Sequence, residues 1–275
     1  MKIPDFSVER YNLIRDEVRQ GPEAIWQEII ALCAAVPSRI QPEHVWQFGR
    51  DKPCWSNITV ELGKRISDDL AKSDAFNCHS IIASDEWRIT MLEKGPRWKA
   101  AENFNASGRA ISEFFRNLQP GGLKSYKWKM YAIRNLALAL QNDEIVRSMV
   151  ADLSLNGRIP SEKLKGWTKE FSTRIGRGWG PVTVYHMLTD LGLTPKPDLH
   201  LRRSAIRMGL LSPAVPSSIA EDLITFKYDH EVVLAVIKLS EQITPAAYPQ
   251  SPRSALREVD KVLMEWSRQG LVRAL

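Results

Sequence analysis

The sequence predicts an all-α fold on three observations. Nearly every periodic segment places apolar residues three and four positions apart, the spacing of one helix face. No run of five or more residues alternates apolar and polar as a half-buried strand does. Proline opens periodic segments at Pro22, Pro160 and Pro181, and Gly192 closes one, as helix termini require.

Pro22-Glu23-Ala24-Ile25-Trp26 opens the first predicted helix, with Ile25, Ile29, Leu32 and Cys33 on its apolar face. Further helices are predicted near 56–73, 106–118, 125–141, 143–154 and 160–173. Helices near 181–191, 198–209, 217–226, 229–241 and 252–269 complete the chain. The last carries Leu256, Val259, Leu263 and Trp266, a stripe read as core packing. Residues 74–105 have weak periodicity and fit either short helices or irregular loops. Gln119-Pro120-Gly121-Gly122 and Pro245–Pro252 read as loops, not as domain linkers. No low-complexity tract or internal repeat is evident.

The chain has 275 residues, enough for one large domain or two small ones. Its 44% apolar and 25% charged residues are those of a soluble globular protein. No uninterrupted apolar segment approaches the ~18 residues of a membrane span, and the N-terminus lacks the apolar stretch of a secretory signal. Cys33, Cys54 and Cys78 have no metal-ligand spacing and read as reduced thiols of a cytoplasmic protein. The net charge of +6 is unevenly placed. Residues 97–134 hold eight Lys/Arg against two Asp/Glu, and residues 158–207 hold ten against four. Two basic blocks on an otherwise acidic chain suggest a polyanion-binding face; solvated helix faces are the plainer alternative.

The second block contains the densest chemistry. Gly176, Gly178 and Gly180 surround Arg177 and Trp179, remove side chains at a tight turn and lead into a helix opened by Pro181. Backbone N–H groups at such a turn suit a phosphate without reading base sequence, with Lys169, Arg174 and Arg177 adding charge. An ordinary helical hairpin with packing glycines also fits. Thr194-Pro195-Lys196-Pro197 then forces an extended link, and Asp198 takes the N-cap position of a helix bearing His200, Arg203 and Arg207. A cap needs no chemistry, but a helix N-terminus and neighbouring arginines also favour a negative charge there.

These residues resemble the helix-hairpin-helix DNA glycosylases. That family's hairpin has the form L-P-G-V-G-x-x-T-A, followed by V-D-T-H-x-x-R-x-x-x-R. Gly178-Trp179-Gly180 stands at G-V-G, with Thr183 and Val184 at T-A. Asp198, His200, Arg203 and Arg207 match the second run at offsets 0, 2, 5 and 9. The likeness covers about 160–210, extends weakly to the Trp266 helix, and finds nothing before residue 106. Arg177 replaces the hairpin proline. Val182 occupies the position of the Schiff-base lysine of bifunctional members. The family's four-cysteine iron–sulfur cluster is excluded by the cysteine spacing.

The resemblance implies two helical subdomains with a DNA-binding cleft between them. A six-helix-barrel-like subdomain spans 76–196 and ends in the hairpin at about 160–192. Residues 1–75 with 197–275 form the second and carry Asp198 at the cleft. It implies a monofunctional DNA glycosylase that flips a base out of double-stranded DNA and hydrolyses its N-glycosidic bond. Asp198 is the expected catalyst and His200 either a helper or a packing residue. Gly176, Arg177, Gly178, Trp179, Gly180 and Thr183 are expected at the DNA. Trp179 either packs between the hairpin helices or wedges into the duplex. Lys124, Lys127 and Lys129 are expected phosphate contacts. Tyr126 and Trp128 are expected either in a base pocket or in the core. Arg203 and Arg207 are expected to tie their helix to neighbouring carboxylates or carbonyls. No metal or cofactor is called for, and a monomer is expected. A non-catalytic DNA-binding protein with Asp198 as a cap remains an alternative, as does a bifunctional lyase using Lys196.

Overall fold

The computed structural model describes residues 6–55, 58–84, 89–92, 95–98, 109, 113, 116, 126–211, 228–243, 245–248 and 251–270. Helices dominate. They are α1 (Phe6–Gln20), α2 (Glu23–Ala34), α3 (Pro42–Gly49), α4 (Val60–Lys72), α5 (His79–Ala83), α6 (Tyr126–Asn142) and α7 (Glu144–Asn156). Then follow α8 (Ser161–Ile175), α9 (Pro181–Asp190), α10 (Leu199–Arg207), α11 (Asp229–Ser240) and α12 (Pro252–Arg268). The expected helices at 106–118 and 217–226 lie outside the described residues, except that Arg109, Glu113 and Arg116 are helical.

Helices α1 and α3 and a strand hairpin were not foreseen. Helix α1 buries Ser7, Tyr11, Ile14 and Val18, a stripe at four- and three-residue spacing. Helix α3 starts with Pro42 in its first turn, where the missing N–H costs nothing. The weakly periodic stretch forms α5 and a short antiparallel hairpin, β1 (Ile89–Leu92) with β2 (Gly95–Trp98), in which Ile89 faces Trp98 and Leu92 faces Gly95. Four residues per strand fall below the length at which alternation is visible. Among the described residues, no helix is long and apolar enough to cross a membrane.

The chain divides into two compact units. The first comprises residues 1–39, 158–165 and 188–275; the second comprises 40–157 and 166–187. These lines differ from the expected 75/76 and 196/197. Residues 40–75 join the second unit because Trp46 Nε1 and Arg50 Nη1 both donate to the Phe76 carbonyl, at 3.1 and 2.6 Å. Residues 188–196 join the first because Asp190 pairs with Arg257 at 2.6 Å and the Lys196 amide donates to Asp260 at 3.0 Å.

The first unit is built around α12, which packs against α1, α2, α10 and α11. Its apolar stripe, Leu256, Val259, Leu263 and Trp266, is buried as expected, in one cluster with Tyr11, Ile29, Leu201 and Val236. The charged residues flanking that stripe, Arg257, Glu258, Asp260, Lys261 and Glu265, are buried too. Each is matched: Glu258 accepts the Ala246 and Ala247 amides at 3.2 and 2.6 Å, and Lys261 faces Glu28 and Glu265.

In the second unit, α6 packs against α3, α5 and α7. Met130, Ile133, Leu136 and Ala137 are fully buried along it. Asp143 caps α7 by accepting the Ile145 and Val146 amides, which satisfies two donors of the first turn. Gly157, at φ 62°, ends that helix in the left-handed region.

Candidate nucleic-acid interface and carboxylate site

In the second unit, the turn 176–180 packs on α6 through Trp128, Ala132 and Asn135. Gly176 and Gly178 have φ of 87° and 95°, where a side chain strains the backbone. Gly178 also touches α6 so closely that a Cβ there would lie 2.4 Å from Ala132 Cβ. Trp179 is 1% exposed and its Nε1 donates to the Ala132 carbonyl at 2.8 Å. The Ser172 hydroxyl donates to the Trp179 carbonyl, and the Trp179 amide donates to the Gly176 carbonyl at 3.1 Å. Of the two readings of Trp179, the packed one holds. Its ring is buried against α6 and makes no wedge.

Arg177 is exposed, with its guanidinium 4.1 Å above the Trp128 ring. Trp128 in turn meets Tyr131 edge to face at 6.3 Å. One face of Trp128 is therefore covered by a cation, an arrangement that fastens the turn to α6. Gly180 is different: its φ is not positive and a Cβ there would meet nothing within 4 Å. The amides of Arg177, Gly178, Gly180 and Val182 have no hydrogen-bond partner among the described residues, whereas Thr183 donates its amide to Gly180 at 2.9 Å. Thr183 therefore offers only its half-buried hydroxyl to a ligand. Beside the turn runs an open groove of about 700 Å³, lined among others by Asn135, Asn142, Arg174, Gly176 and Arg177. Arg174 is held there by Glu170 at 2.7 Å and Asp143 at 3.5 Å.

Lys129 corrects an expectation. It is buried, and its ammonium donates to the Cys54 carbonyl at 3.0 Å, so it cannot meet a phosphate. Burial lowers its pKa. Lys124 lies outside the described residues, as do the side chains of Tyr126 and Lys127 at the start of α6.

The carboxylate belongs to the first unit. Asp198 sits at the N-cap of α10 with extended backbone, and its Oδ1 accepts the Leu201 amide at 3.0 Å. Its Oδ2 has no hydrogen-bond partner among the described residues, and the side chain is half-buried. His200 points elsewhere, with Nδ1 3.3 Å from the Ser267 hydroxyl, so it is a packing residue and not a helper of Asp198.

The arginines carrying the ion pairs around Asp198 were not singled out in the motif. Buried Arg202, between the expected Arg203 and the cap, pairs with Asp229 at 2.7 Å. Arg257 spans Asp190 and Asp260 at 2.6 and 3.1 Å. Burial raises both Asp229 and Asp260 above the usual carboxylate range; Glu231 and then Asp198 add to this at Asp229, and Asp198 adds to it at Asp260, which reaches about 6. The only sequence signal for this set was the charge on the flanks of α12, which reads equally well as a solvated face.

Comparison with protein-family models, curated protein sequences and solved structures finds no match to the chain.

Proposed function

We propose that the chain is a monofunctional DNA glycosylase, acting as a monomer in the cytoplasm. The observation that carries the reading is the run Asp198-x-His200-x-x-Arg203-x-x-x-Arg207, downstream of a glycine turn, with Asp198 as a helix cap whose second oxygen is unengaged among the described residues. The amides of Arg177, Gly178, Gly180 and Val182, without a hydrogen-bond partner among the described residues, support a phosphate-binding role for the turn. Arg177 adds exposed positive charge beside them.

In this reading a nucleotide leaves the base stack and its sugar meets Asp198. The C1′–N bond breaks with its electron pair going to the departing base, and positive charge develops on the sugar. The carboxylate stabilises that charge and takes a proton from the water that attacks C1′. Solvent protonates the base. Val182 offers no amine for a Schiff base, so the strand stays intact and an abasic site remains. The target is an alkylated, oxidised or deaminated base, or a bulky modified base of phage DNA, in which case the role is defence.

Mass spectrometry of free bases released from alkylated, oxidised, deaminated and phage DNA tests the proposal. A specific base released without a borohydride-trapped adduct is expected. DNA binding with no base released from any of these DNAs favours the second reading, in which Asp198 only caps α10; its bond to the Leu201 amide supports that reading.

A further inference from the structure

The turn that carries Asp198 is fastened from within the first unit by one buried ion pair on α12. Asp260 is 3% exposed; its Oδ1 accepts the Lys196 amide at 3.0 Å and its Oδ2 accepts from Arg257 Nη1 at 3.1 Å. The Lys196 carbonyl then accepts the Asp198 amide at 2.7 Å, closing a tight turn around Pro197. Arg257 Nη2 reaches back to Asp190, the last residue of α9, at 2.6 Å. Both ends of the 190–198 connection are thus tied to the same arginine–aspartate pair. A buried pair of this kind adds little stability compared with apolar packing, and is best suited to fixing geometry.

We propose that Asp260, oriented by Arg257, is the positioning residue for Asp198: it fixes the Lys196 peptide and hence the turn that presents the carboxylate. The proposal rests on the reading of Asp198 as the reacting group. The charged groups facing Asp260 are Arg257 and Lys261 on its own helix and Asp198 from the turn. Lys261 is shared with Glu28 of α2 and Glu265, and Arg257 with Asp190. Burial, with Asp198 adding to it, brings Asp260 to about 6 against the opposing pull of Arg257 and the Lys196 amide. On protonation Asp260 loses the charge that strengthens both of its hydrogen bonds.

The test compares the full-length wild type, Asp260→Asn and Asp260→Ala. In base release, Asp260→Ala is expected to lose about 10–100-fold in kcat, with KM for DNA within about twofold. Asp260→Asn keeps an acceptor for Lys196. It should recover most of kcat. A folded Asp260→Ala with wild-type kcat, or a folded Asp260→Asn that loses as much kcat as Asp260→Ala, overturns the proposal. Amide hydrogen exchange at Lys196 and Asp198 separates it from the glycosylase reading. Faster exchange in Asp260→Ala supports the positioning role even if no DNA yields a base, and unchanged exchange overturns it.

Discussion

Gly178 and Gly180 flank the same tryptophan for different reasons. Gly178 is required by the fold: its φ is 95° and Ala132 leaves no room for a Cβ. Gly178→Ala should destabilise the protein by about 1–3 kcal/mol in thermal or urea unfolding, the cost of a non-glycine residue in that region. Gly180 is not required by the fold, so Gly180→Ala should change stability by less than about 1 kcal/mol. It should still weaken DNA binding at fixed salt, because the methyl group would stand where the proposed phosphate contact lies. Unchanged affinity would remove the phosphate role of this turn. The motif made both glycines legible as a pair. It could not separate them, since the sign of φ and the neighbour at Ala132 come from packing on α6. The motif singled out Arg203, whereas the buried arginine of that pair is Arg202, which is turned toward Asp229.

Helix α12 shows what a periodic pattern conceals. Its apolar stripe was plain, and Leu256, Val259, Leu263 and Trp266 are core. Its charged flanks are buried too, and matched on α1, α2 and the 190–198 connection. Oppositely charged residues three and four apart give one signature in water and in a core. The buried set has a pH consequence. Asp260 titrates at about 6 in the folded chain, against ~3.9 for an unfolded aspartate. Between those values the native state holds more proton than the unfolded one, so this group's contribution to stability falls as pH rises. The stability of Asp260→Asn relative to wild type, read from urea midpoints, should therefore increase from about pH 4 to pH 6. A flat difference would mean that Asp260 titrates normally. The hairpin element has a simpler test. Trp179→Phe loses the bond to the Ala132 carbonyl and should cost about 1 kcal/mol.

At the scale of the molecule, the helical class was legible because almost every helix carries its own period and its own stop signals. The division of the chain was not, because it depends on contacts such as those of Trp46 and Arg50 with Phe76, far apart in sequence. Charge was legible as an amount and misleading as a placement. Lys129 counts toward the basic block at 97–134 but is spent on the Cys54 carbonyl. DNA binding should still weaken steeply with salt, as phosphate contacts release counterions. The central claim concerns one oxygen pair, that of Asp198. The direct measurement is abasic-site formation on a duplex carrying the released base, for wild type and Asp198→Asn, with DNA affinity taken in the same buffer. Release should fall by about a hundredfold or more, with affinity held within about twofold. An Asp198→Asn protein that releases the base at the wild-type rate would contradict the account.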